Sequence, residues 1–321
     1  MSQAKLKKCL AEELPAINET LTSIISELPP PCQPVARHVI SAGGKRLRPL
    51  LTILMARLTG ATDSAIYRLG STMELLHCAT LLHDDILDQA TLRRGQPAAH
   101  AIYGTSATIL AGDAMLALGN SIVAEFSQPA LSRAYSMATM ETAAGEILEM
   151  NSLRNPLLTE DEYIAIIKGK TACLIAQACA LGAIYGSENG PLAKAASSFG
   201  ENLGIAFQLV DDALDFAPAS LTGKPSGGDL REGKLTMPLR LFRASLSAEP
   251  RSEFDEMFCQ GGLDDARQDE ICEAIQPFVK ESLTVADAYL GRALEFLLPF
   301  PDCDELEILK AMTAHIRNRS N

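Results

Sequence analysis

The sequence predicts an all-α protein, and three observations carry that expectation. Ala, Leu, Ile and Met are abundant and recur at helical spacing over long segments. Trp is absent, and runs of alternating β-branched residues, the signature of strands, are scarce. Glycine and proline gather between the apolar segments rather than inside them. With 321 residues, 47% of them apolar, the chain can bury a sizeable core in one large helical domain or two ordinary ones.

Taken in order, helices are expected over 65–83, 107–126, 130–150, 160–185 and 191–217. Each carries apolar residues at helical spacing, and the first four contain no proline. Breakers separate them: Gly60, the Arg94-Gly95-Gln96-Pro97 stretch, Gln128-Pro129, Asn155-Pro156 and Asn189-Gly190-Pro191. Pro191 suits the first turn of the fifth helix, where a missing N–H costs nothing, and Pro218 follows its end. The segment 218–233 is the richest in Gly, Pro and Ser and reads as a functional loop, being too short for a linker between domains. No repeat of fixed period is present, and 241–321 carries no interpretable motif.

Charge and cysteine content narrow the classes. A net charge of -12 argues against a nucleic-acid binder, whose footprint is a basic face. It is compatible with gathering divalent cations, although a solvated acidic surface explains most of it. The eight cysteines form no C-x-x-C pair, and several lie in apolar helical stretches, so they read as reduced thiols in a cytoplasmic protein. Glu12, Glu13 and Pro15 interrupt any apolar core of a signal peptide. No uncharged apolar run reaches the length of a bilayer span, so no transmembrane segment is expected.

Two acidic motifs carry the chemistry: Asp84-Asp85-Ile86-Leu87-Asp88 and Asp211-Asp212-Ala213-Leu214-Asp215. Each has the form D-D-x-x-D. On a helix, residues four apart share a face, so Asp84 points with Asp88 and Asp211 with Asp215. Stacked carboxylates repel, and both motifs sit in apolar segments that border a core. A divalent cation resolves both problems. Mg²⁺ takes oxygen ligands, keeps some waters and is completed by substrate phosphates. Either motif alone also reads as a solvated helix end. Two copies of one spacing, far apart in sequence, point instead to metals that clamp a diphosphate.

Cations stand near these motifs. Gly43-Gly44-Lys45-Arg46-Leu47-Arg48-Pro49 packs three beside a Gly-Gly turn, and Arg93-Arg94-Gly95 follows the first acidic motif. Lys170-Thr171, Lys224 and Lys234 come later. Arginine grips phosphate oxygens bidentately and lysine acts as a point charge. Any one of them singly is a surface cation; together they favour a site for two diphosphates.

At this point the chain resembles the trans-polyprenyl diphosphate synthases, most closely the long-chain, octaprenyl-type branch. The resemblance runs from about 35 to 240 through GGKRLRP (43–49), ELLHCATLLHDDILD (74–88), LRRGQPAAH (92–100), AGD (111–113), GKTA (169–172), FQLVDDALD (207–215) and GKPSGGDLREGKLTMP (223–238). It implies a single domain over 1–321: one large helical bundle of the isoprenoid synthase type, its central cavity lined by two Asp-rich helices. It implies that Asp84, Asp88 and Asp211 bind three Mg²⁺ around an allylic diphosphate, with Asp85, Asp212 and Asp215 supporting metals or waters. Arg93, Lys170, Thr171, Gln208, Lys224 and Lys234 would hold the allylic diphosphate, with Lys170 also in the catalytic set. Lys45, Arg48, His77 and Arg94 would hold isopentenyl diphosphate. His77 lies seven residues before Asp84, two turns along the same stripe. A homodimer is implied by the same analogy.

The implied reaction is ionisation of the allylic diphosphate, attack by the isopentenyl double bond, and loss of a proton. Below the first motif Ala79 and Thr80 are small, where bulky aromatic residues would resemble a floor that halts growth. A long product of about thirty to fifty carbons is therefore expected, with a short-chain farnesyl or geranylgeranyl product as the alternative. A class I terpene cyclase shares the fold but would carry a different second metal motif. A non-catalytic synthase subunit would tend to lose aspartates or the basic cluster, and this chain keeps both.

Overall fold

A computed structural model of the chain describes residues 2–187, 189–217 and 226–318. Helices account for most of it. Among the described residues the strands are a single two-residue ladder, β1 (Leu92–Arg93) antiparallel to β2 (Gln96–Pro97). Contacts divide the chain into two compact units. One comprises Met1–Thr139, Leu174–Ser197 and Leu297–Ala311, and the other Met140–Cys173, Ser198–Phe296 and Met312–Asn321.

The first unit is built round one helix. Its elements begin with α1 (Ser2–Ile25), α2 (Gln33–Ser41), α3 (Leu47–Leu58) and α4 (Ala65–Leu87). After the ladder come α5 (Ala99–Tyr103) and α6 (Thr105–Glu125), then the start of α7 (Pro129–Ser152). Helix α4 packs against α1, α3 and α6. Its Leu69, Met73, Leu75, Leu76, Cys78, Ala79 and Leu82 are all buried, which is why its sequence is apolar on every side rather than on one stripe. The unit also takes in most of α9 (Cys173–Gly186). A Cβ at Gly182 would lie 2.2 Å from the Thr52 carbonyl oxygen, so α9 and α3 approach backbone to backbone. Thr52 Oγ1 donates to the Ala178 carbonyl at 2.9 Å across that crossing.

The second unit holds the rest of α7, then α8 (Glu160–Ile167), which a complete capping box between Thr159 and Glu162 opens. A π-turn over Lys168–Ala172 follows. Next come α10 (Gly190–Asp215), α11 (Gly228–Glu232), α12 (Met237–Ser245), α13 (Ala248–Gln260), α14 (Asp265–Glu295) and α15 (Asp304–Arg317), parts of α10 and α15 belonging to the first unit. Helices α12 and α14 pack together.

All five expected helices are present, with two differences. The helix expected over 65–83 continues to Leu87, so the first acidic motif is helical. The helix expected over 160–185 is interrupted at 168–172, where Gly169 meets the backbone of Gly145. Of the loop expected over 218–233, residues 218–225 lie outside the described residues, and 228–232 form α11. Thr105–Glu125 and the stretch Glu160–Gly186 are long and apolar enough by composition to cross a bilayer, each with mean hydropathy 1.5, but neither is an uncharged run: the first carries Asp113 and the second Lys168 and Lys170. Both also pack inside the protein, with 39% and 61% of their apolar windows buried.

Candidate active site

The first acidic motif closes α4. Asp88 caps the helix, its N–H donating to the Asp84 carbonyl at 2.8 Å. One turn separates Asp84 and Asp88, so they share a face; Asp84 is half-buried and Asp88 exposed. Asp85 is rotated about 100° from Asp84 and goes inward. It is buried, and its Oδ1 accepts from Nε of Arg93 at 2.7 Å and from Nη2 of the same guanidinium. Arg93 and Arg94 are presented by the ladder, whose turn residues Arg94 and Gly95 have φ of 52° and 77°, as a tight right-twisted hairpin requires. Asp85 thus holds the Arg93 guanidinium in place.

Lys45 and Arg48 flank the start of α3, Lys45 exposed and Arg48 half-buried. His77, on α4, is partly buried. Burial, and then the guanidiniums of Arg48, Arg94, Arg93 and Arg46, hold its pKa well below the usual histidine range, so the ring is neutral at neutral pH. The same four arginines show how tightly the turn and the hairpin gather charge round α4. The Ala111-Gly112-Asp113 motif backs the arrangement. A Cβ at Gly112 would lie 2.4 Å from His83 Nε2, so a larger residue there would have to displace that ring. His83 Nε2 sits 3.1 Å from the Ile109 carbonyl. Ala79 is buried and Thr80 half-buried, its hydroxyl donating to the His77 carbonyl at 2.9 Å.

The second motif closes α10 and divides its work in the same way. Asp211 and Asp215 are half-buried and one turn apart, whereas Asp212 is buried. Asp212 Oδ2 accepts from the Tyr163 hydroxyl at 2.5 Å, and its Oδ1 from Gln208 Nε2 at 2.7 Å. Gln208 Oε1 in turn accepts from Thr171 Oγ1 at 2.8 Å. Burial pushes the Asp212 carboxyl up to about 7, against the pull of its two hydrogen bonds. Asp215 Oδ2 accepts from the Asp229 N–H at 2.9 Å. Burial, then Asp212 and Asp215, raise the Asp229 carboxyl well above the usual range.

The π-turn presents Lys170. Its Nζ lies 2.5 Å from Glu149 and 2.8 Å from Glu146, and Lys234 Nζ lies 3.4 Å from the same Glu149 oxygen. Burial opposes the Glu149 charge, but the two lysines outweigh it and hold that carboxyl below its usual range. Glu149, Tyr163, Lys170, Gln208, Asp212 and Lys234 line one cavity with Thr171 and Asp229. Lys170, Thr171, Gln208, Lys234 and the second motif are thus brought together, as are Arg48, His77, Arg93, Arg94 and the first motif's Asp85 within their own unit, with Lys45 exposed in the turn before α3. Lys224 lies outside the described residues.

In the sequence Arg46 stands only as one of three clustered cations, and Glu74, Glu146, Glu149, Tyr163 and Asp229 carry no expected role. Arg46, Glu74 and Asp229 stand inside motifs already singled out, and Tyr163 lies seven residues, two turns, before Lys170. Only packing shows what these side chains hold.

Among the described residues no three His, Cys, Asp or Glu side chains converge into a ready metal cage. Each motif instead offers two aspartates one turn apart with oxygen donors only. That donor set fits Mg²⁺, which is bound by one or two carboxylates and finished by water and phosphate.

Residues 29–275 match the family model described as polyprenyl synthetase. The chain is 34% identical over 274 residues to solanesyl diphosphate synthase 2, chloroplastic, of Arabidopsis thaliana, covering 83% of this chain and 66% of that protein. The crystal structure of a decaprenyl diphosphate synthase from Rhodobacter capsulatus is similar at a TM-score of 0.92 and 31% identity, over 99% of both chains. A polyprenyl synthase from Caulobacter crescentus CB15, complexed with calcium and isoprenyl diphosphate, gives 0.90 and 33% over 99% of this chain and 97% of that one.

Proposed function

Because the chain belongs to the polyprenyl synthetase family, we propose that it is a trans-prenyltransferase that condenses isopentenyl diphosphate with an allylic diphosphate to give a polyprenyl diphosphate. The observation that carries this reading is the shared construction of the two acidic motifs. Each buries its middle aspartate in hydrogen bonds and keeps its outer two on one helix face, beside cations that suit diphosphate. The family match spans residues from both compact units, which supports one catalytic domain.

Asp84, Asp88 and Asp211 would hold magnesium ions, three in all, and Asp215 would support them; the calcium and isoprenyl diphosphate of the Caulobacter relative support divalent cations for such aspartates. Bound magnesium supplies Lewis-acid neutralisation of the departing diphosphate. Lys170, Thr171, Gln208, Lys224 and Lys234 receive the allylic diphosphate, and Arg93, aimed by Asp85, joins them. Glu149 and Glu146 keep Lys170 charged where burial would discharge it. These fixed charges favour breakage of the allylic C–O bond because negative charge accumulates where they already point. Lys45, Arg48, His77 and Arg94 bind isopentenyl diphosphate, and the neutral His77 adds a hydrogen bond without a competing charge. The double bond attacks the allylic carbon, and the proton lost goes to the departing diphosphate.

The small side chains of Ala79 and Thr80 beside the first motif favour a long product of about thirty to fifty carbons. The protein acts in the cytoplasm as a homodimer; the exposed Ile102, Tyr103, Ile109 and Leu110 of α5 and α6 support a self-association face. The test is incubation of the purified protein with labelled isopentenyl diphosphate and farnesyl diphosphate, followed by chromatography. Magnesium-dependent products beyond twenty carbons are expected. No product with magnesium present defeats the activity, and products of fifteen or twenty carbons alone defeat the long-chain reading.

A further inference from the structure

Arg46 stands between two residues assigned to the isopentenyl diphosphate, Lys45 and Arg48, yet its own side chain goes the other way. It is 5% exposed and its φ of 47° is left-handed, a conformation that bulky side chains rarely adopt. That reversal separates the three cations of the turn. Lys45 and Arg48 keep access to solvent while the guanidinium between them is buried.

The buried guanidinium is held at every nitrogen. Nη1 donates to Glu74 Oε1 at 2.8 Å, Nη2 to the Ile40 carbonyl at 2.7 Å, and Nε to Asn18 Oδ1 at 3.0 Å. Arg46 therefore joins the turn to α1, to the end of α2 and to α4. The pair with Glu74 is 5% and 4% exposed, so no water screens it. Glu74 lies three residues before His77 on the same face of α4. Gly44 completes the connection: a Cβ there would lie 3.4 Å from Arg46 Nη1 and 3.1 Å from Arg94 Nη1, so the two guanidiniums close on that glycine's backbone.

We propose that the buried Arg46–Glu74 pair is a positioning element for the isopentenyl diphosphate site: without touching substrate, it sets the placement of Lys45 and Arg48 relative to His77 and Arg94. The inference rests on the assignment of those four residues to isopentenyl diphosphate. A strained backbone at residue 46 persists only if its surroundings over-determine it, and the three hydrogen bonds do so. Four ligands on three separate elements bind one anion well only when their spacing is fixed beforehand.

The test compares steady-state constants for the two substrates. Arg46→Met with Glu74→Leu removes both charges together and so avoids stranding one in the core. Its KM for isopentenyl diphosphate is expected to rise about tenfold or more, while the allylic KM stays within about twofold and the unfolding midpoint stays near that of the parent. Equal shifts for both substrates, or an unchanged isopentenyl KM, overturn the proposal. Asn18→Ala carries the same test should the double variant not fold, since Asn18 is exposed and only the Nε bond is lost. A rise of about twofold in the isopentenyl KM alone is expected, and no rise overturns the proposal. Lys45→Ala and Arg48→Ala separate the two levels. If they raise the isopentenyl KM and the pair variants do not, only the positioning role falls; if they leave it unchanged, the site assignment falls and takes the inference with it.

Discussion

At the scale of the residue, both D-D-x-x-D motifs show that neighbouring aspartates do unlike work. The middle acid of each turns inward and is hydrogen-bonded, Asp85 by Arg93 and Asp212 by Tyr163 and Gln208. Removing an outer acid therefore removes a metal ligand, whereas loosening an inner one disturbs its support. Asp84→Ala is expected to lower kcat/KM at least about a hundredfold, measured as a loss of activity that added magnesium recovers only in part. Tyr163→Phe leaves a buried carboxylate short of a donor and should destabilise the fold by about 1–3 kcal/mol in denaturant titration. His77 gives a pH signature. Its folded pKa lies below the unfolded value of about 6.5, so the unfolded chain binds more protons as pH falls through that region. Its contribution to stability is present above 6.5 and is lost as pH falls toward its depressed folded value. In His77→Gln the slope of unfolding free energy against pH between about 6.5 and 5 should be smaller by up to about 1.4 kcal/mol per pH unit. An unchanged slope shows that His77 is not held neutral.

At the scale of the element, the π-turn at Lys168–Ala172 decides where Lys170 stands. A Cβ at Gly145 would lie 2.3 Å from the Lys170 nitrogen and 2.5 Å from the Gly169 carbonyl carbon. Helix α7 thus touches the turn backbone to backbone, and neither partner can retreat as a flexible side chain could. Gly145→Ala is expected to destabilise by about 1–3 kcal/mol and to raise the KM for the allylic substrate more than that for isopentenyl diphosphate, because it displaces Lys170. Helical periodicity located both helices here but not the break between 167 and 173. The residues on either side of the π-turn keep helical backbone angles, and its cause, the Gly145–Gly169 approach between segments over twenty residues apart, leaves no local trace in the sequence.

At the scale of the whole molecule, the acidic chain concentrates cations at a few places and leaves apolar side chains uncovered on α5 and α6. Leu110 is 63% exposed in a helix whose mean hydropathy is 1.5. Such a face favours self-association over solvation. Sedimentation is expected to show a dimer for the parent and a monomer for Leu110→Arg; a parent that sediments as a monomer refutes the dimer.

Five of the helices between 65 and 217, the two acidic motifs and the cations beside them were legible in the sequence because they depend on local spacing: four residues between aspartates, 3.6 per turn, and glycine and proline where a helix must stop. The inward turn of Arg46, the commitment of Asp85 to Arg93 and Asp212 to Tyr163, and the two lysines that share Glu149 were not. Each is a choice among partners distant in sequence, settled by which groups burial brings within hydrogen-bonding distance and by the cost of leaving a buried charge without one. Residue type and spacing say what chemistry is available; the tertiary structure decides which charges are left to meet a substrate.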